Sequence, residues 1–183
     1  VPANDPAPDA PIETFSKCHA GILSHLNAFA ELPGLLDAAA RTRHIAAEML
    51  KFFRTSVYEH HSEEERELFP AVLASATAGS ERQYAQGIVD RLTREHRQIE
   101  AAWERLEPEL KHVAKGQDSR IDPIAINVLV ANYRGHATYE EQVFLPLSQT
   151  ILGRNANHMA ALGLSLHLRH TIPEVLAKYG SRI

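Results

Sequence analysis

The sequence is poor in several things, and each shortage excludes something. It carries one cysteine, Cys18, in 183 residues, so no internal disulfide framework is available, and a lone thiol fits a reducing compartment. Its most apolar run, IAINVLVANY at 124–133, falls far short of the roughly 20 residues needed to span a bilayer. No excess of positive charge exists either: a net charge of −4 gives no electrostatic footprint for nucleic acid. The opening VPANDPAPDAP has neither the basic nor the apolar segment of a signal peptide. These shortages set the expectation of a cytoplasmic protein with no membrane and no nucleic-acid partner. Alternating strand-like patterns are nearly missing as well.

What is present is helical periodicity from about residue 13 to about residue 170. A Pro-, Ala- and Asp-rich tail over 1–12 is expected to be disordered. A first helix is expected over 13–31, closed by Pro33-Gly34, and a second reaching Ser75 with Phe52, Phe53 and Val57 inward. Ser80 with Gln83 reads as a capping box opening a third helix that ends near Gly116. Asp122-Pro123 opens a fourth, which runs to about Ile151, and Asn155 can cap a short C-terminal segment. The expected fold is all-α: an antiparallel up-down-up-down four-helix bundle over 13–152, with a C-terminal helical extension over 153–183.

The chain also repeats itself. VYEHHSEEERELFP at 57–70 and NYRGHATYEEQVFLP at 132–146 align without a gap. His60, Glu64 and Pro70 fall against His136, Glu140 and Pro146, and upstream His19 and Ile22 match His96 and Ile99. His61 and Glu65 repeat the same spacing one residue later, but only the His60 register preserves the match of the two prolines. If the four histidines share one depth, reversals should fall midway between them. TAGS at 77–80 and Gly116 do so, whereas the first midpoint falls near Ala39 rather than at Pro33-Gly34. A short extra helical turn over 35–40 is the expected repair.

Residues at i and i+4 share a helix face, so His60 with Glu64, and His136 with Glu140, each present an imidazole and a carboxylate together. Two carboxylates buried without partners would be heavily penalised. Two divalent metals remove that penalty, each taking about two histidines and sharing the carboxylates. Imidazole and carboxylate suit iron, manganese or zinc, and open positions favour iron. Glu100 reads as a surface acid rather than a seventh ligand. Glu65 and Glu141 read as outer acceptors, Tyr133 and Tyr139 as packing residues, and Cys18 as a small buried residue rather than a redox partner.

With those residues in place, the chain resembles the hemerythrin-like HHE domain family over about residues 13–150, through His…His-x-x-x-Glu…His…His-x-x-x-Glu and its Leu-Phe-Pro-like tails. The resemblance implies a four-helix bundle around a non-haem di-iron centre with ligands His19, His60, Glu64, His96, His136 and Glu140. It also implies a small diatomic or oxidant ligand, O2 or NO, bound for sensing, storage or stress response. Oxygen-carrying members have a fifth histidine one turn after the third, where this chain has Glu100. The pattern is nearer to iron-centre repair proteins, whose cysteine-bearing module is missing from this sequence. Three alternatives therefore stand beside it: a di-iron peroxide or NO reductase, an iron-centre repair protein, and a zinc-stabilised interaction protein. Whether the chain is an enzyme is left open, and a homodimer is compatible with either.

Overall fold

The computed structural model describes residues 11–154, with side chains from His19 onward. No strand occurs among the described residues. The helices form three long rods. The first comprises α1 (Pro11–Phe52), α2 (Tyr58–Glu63) and α3 (Phe69–Ser75), joined by π-helical turns at Phe53–Val57 and Glu64–Leu68. The second rod is α4 (Ser80–Ala114). The third comprises α5 (Pro123–Tyr139) and α6 (Leu145–Leu152), joined by a π turn at Glu140–Phe144.

The chain reverses where the breakers predict between the first and second rods and between the second and third. Gly79 and Gly116 both take positive φ, at 102° and 69°, which favours glycine. At Gly116 a Cβ would meet Arg43 Cδ at 3.2 Å, so the end of α4 sits directly on the first rod. The Ser80–Gln83 capping box does not form. Instead Gly79 caps α4, and Glu81 accepts from the Thr77 N–H at 2.7 Å and is paired with Arg154. Asp122 does cap its helix, accepting from the Ile124 N–H at 2.8 Å with Pro123 next in line.

The expected reversal at Pro33-Gly34 is absent, and so is a separate turn over 35–40. The α1 helix runs unbroken through both. Gly34 does not take the left-handed conformation that closes a helix. Beyond it, Leu35-Leu36-Asp37-Ala38-Ala39-Ala40 is rich in strong helix formers. Every residue from His19 to Ile45 is exposed, and the first buried residue after them is Ala46. Among the described residues the body is therefore three-stranded, and α1 projects past it as a bare arm. The expected tail over 1–10 and the C-terminal extension after 154 lie outside the described residues; Pro11 and Ile12 are already helical.

Two apolar clusters fill the body. One gathers Phe69, Val72, Ile88, Leu92, Phe144 and Ile151 at the Gly79 end. The other gathers Phe53, Val57, Ile99, Trp103, Leu106 and Leu129 towards the Gly116 end, with Phe53 stacked on Trp103 at 3.9 Å. Between them lies a polar layer.

Candidate metal centre

His96 sits between Leu92 and Ile99 on α4, and His136 between Leu129 and Phe144 on the third rod. Each histidine therefore lies at the junction of the two apolar clusters. From the first rod the structure sends in His61, which is 1 % exposed, as well as Glu64. The His61 and His96 rings stack at 3.9 Å, and His136 stands edge-on to His96 at 4.8 Å.

Each of these three imidazoles is held from outside by a carboxylate. His61 Nδ1 donates to Glu100 at 3.0 Å, His96 Nδ1 to Glu65 at 2.8 Å and His136 Nδ1 to Glu95 at 3.2 Å. Arginines hold the acids in turn: Arg97 bridges Glu65 and Glu100, and Arg91 bonds Glu95 at 2.7 Å. An Nδ1–H committed outward leaves Nε2 as the lone-pair nitrogen facing inward. All three Nε2 atoms are buried and make no hydrogen bond, as are Glu64 Oε2 and Glu140 Oε1. Buried polar atoms are nearly always satisfied, so five orphans facing one another mark a place built for something else.

The nitrogen and oxygen atoms fall into two neighbouring groups. His61, His96 and His136 form one, and His60, Glu64 and Glu140 the other, with ligand atoms within 4.8 Å of one another in each. His60 Nε2 lies 3.3 Å from Glu64 Oε1, and His96 Nε2 lies 3.2 Å from Glu64 Oε2, so Glu64 reaches both groups. His136 Nε2 is 3.7 Å from Glu140. His60 differs from the other histidines in standing on the rim, its side chain 43 % exposed.

The electrostatics agree with a site that expects cations. Burial, with repulsion between neighbouring acids, pushes the Glu64 carboxyl up to about 7; burial and the proximity of Glu64 push Glu140 to about 8. Burial and the adjacent His96 take His61 down to about 3, and burial lowers His136. The layer thus resists charge of either sign by itself. Neutral imidazoles and carboxylates, backed by a carboxylate on each outer nitrogen, are the donor set of borderline divalent metals, so the residues present fit such ions.

Five of the six residues singled out in the sequence converge here: His60, Glu64, His96, His136 and Glu140. His19 does not. It is exposed on the arm, 41 residues before His60, which at 1.5 Å per residue is about 60 Å along the rod. His61 is the residue that spacing alone missed. The gapless repeat pairs His60 with His136, but the core-filling side chains pair one position differently: His61 with His136, and Phe69 with Phe144. A π turn at Phe53–Val57, with no counterpart before His136, precedes His61, while Glu64 and Glu140 keep the pairing of the repeat. The available signal was the doubled His-x-x-x-Glu itself. Glu100 and Glu65 stand as outer acceptors of His61 and His96.

The sequence profile of the hemerythrin HHE cation binding domain matches residues 10–148. An uncharacterized protein of Haemophilus influenzae is 26 % identical over 158 residues, covering 82 % of this chain and 88 % of that protein. No solved structure matches the chain. No helix of the described residues is long and apolar enough to cross a membrane.

Proposed function

Since the chain belongs to the hemerythrin HHE cation-binding family, we propose that its polar layer holds two iron ions and binds O2, NO or a related small oxidant. His61, His96 and His136 would hold one ion and His60 the other, with Glu64 and Glu140 as the carboxylate donors. The observation that carries this reading is the set of bare inward nitrogens, each fixed by a carboxylate on its other side. Bound iron supplies reversible coordination of a small ligand, or electrons to it.

The rest is the work of this chain's own side chains. Glu65, Glu95 and Glu100 fix the tautomer and ring plane of three imidazoles and raise their basicity as donors. Phe69, Phe144 and Leu92 on one side, with Val57 and Ile99 on the other, close the layer above and below against water. The rim position of His60 leaves the approach on its side.

The test is reconstitution with ferrous iron without air, followed by exposure to air or NO. The expected outcome is bound iron with a new visible band that responds to either gas. Tight zinc binding with no response to any oxidant would move the function to a structural or interaction role. Turnover with an added electron donor would instead make the protein a reductase.

A further inference from the structure

Among the described residues, two surfaces lie without cover. One is the arm: Ile22, Leu26, Phe29, Leu32 and Leu36 are each between 46 % and 69 % exposed. The other is an apolar groove of about 420 Å³ in the three-stranded body, lined by Met49, Phe53, Val57, Trp103, Leu129 and Tyr133 among others. It opens between the first and third rods, and its lining residue Val57 lies three residues before His60, whose side chain is 43 % exposed. Soluble proteins rarely leave apolar faces of this extent open. The arm cannot reach its own groove, because α1 is one helix through Pro33 and carries the arm away from the body.

We infer that two copies of the chain exchange arms, each seating residues 19–36 in the other's groove and placing its His19 beside the other's His60. The register follows from one alignment. Setting His19 of one copy level with His60 of the other, on antiparallel helices, brings Ile22 level with Val57, Leu26 with Phe53 and Ala30 with Met49, the second of each pair lining the groove. The groove's apolar wall thus meets the arm's apolar residues. A two-fold axis relating the copies must then cross at the midpoint between residues 19 and 60, within Ala38-Ala39-Ala40. Three alanines are what a close crossing of two helices needs. Beside them Asp37 of one copy comes level with Thr42 of the other, flanked by Arg41 and Arg43. The same midpoint, which matches no chain reversal, is accounted for as a symmetry axis. Exchange of an identical element is a known low-cost route to dimers. The contribution of His19 to the centre rests on the proposed two-metal reading; the exchange itself does not.

The full chain, held in chelator so that metal plays no part, is weighed in solution by light scattering. The expected mass is twice the 20.4 kDa of one chain, and the single mass overturns the inference. A second arm decides between exchange and another interface. In a Cys18→Ser background, Ala30→Cys with Met49→Cys, a groove-lining position, should oxidise to a covalently linked pair on a non-reducing gel. A bond closing within one chain means that the arm folds back on its own body, and failure to form either bond means that the groove is not its seat; both refute the exchange. His19→Ala should leave the mass doubled and lower metal content towards one ion per chain. Unchanged metal content in that variant removes His19 from the centre.

Discussion

At the scale of residues, the polar layer is costly to bury without metal, and its cost depends on pH. Glu64 and Glu140 are raised to about 7 and about 8. A carboxyl raised above its unfolded value of about 4.3 contributes stability that is full below that value and is lost as pH climbs through the folded one. His61, lowered to about 3, acts the other way: its contribution is present above about 6.5 and is lost as pH falls. Metal-free protein should therefore melt at a lower temperature as pH rises from about 6 to about 9, and Glu64→Gln with Glu140→Gln should flatten that slope. A flat profile in the parent chain would contradict the burial of two linked carboxyls. The outer acids matter differently. Glu65→Ala removes the acceptor of His96 Nδ1 and should weaken metal binding by roughly 10–100-fold while leaving the helical content intact. Titration against a competing chelator reads this, and an unchanged affinity would make Glu65 merely a surface partner of Arg97.

At the scale of elements, the helices that the sequence marked by position were legible, and those it marked by periodicity alone were less so. Asp122-Pro123 opens α5 because side chain and ring each meet a need of the helix N-terminus. Asp122→Ala should cost about 1 kcal/mol by denaturant unfolding, and a loss of much less would show the cap to be idle. The three π turns were not legible. Each takes one residue more than an α turn, and nothing in residue type announces it. Two of them begin at Glu64 and at Glu140, the inward carboxylates. The third, at Phe53–Val57, comes just before His61, the buried histidine of the pair. Pro33-Gly34 misled for the opposite reason. A proline and a glycine weaken a helix locally without always ending it, and the helix formers after Gly34 carry α1 onward.

At the scale of the whole molecule, the repeat, the all-helical class and the level of the centre could be read from the chain, because they depend on spacing along rods. The number of rods in one body could not, since that depends on which surface the first helix meets. A three-stranded body with an apolar groove and a detached apolar arm is the result. The central claim is that the layer is a two-ion site to which both His60 and His61 belong, the first through the carboxylates and the second through the three-histidine group. Metal content per chain, measured for the iron-reconstituted parent, His60→Ala and His61→Ala side by side, tests it most directly. The account predicts two ions in the parent and a loss in each variant, His61→Ala losing the ion of the histidine group. One ion in the parent, or full metal content without His61, would contradict it.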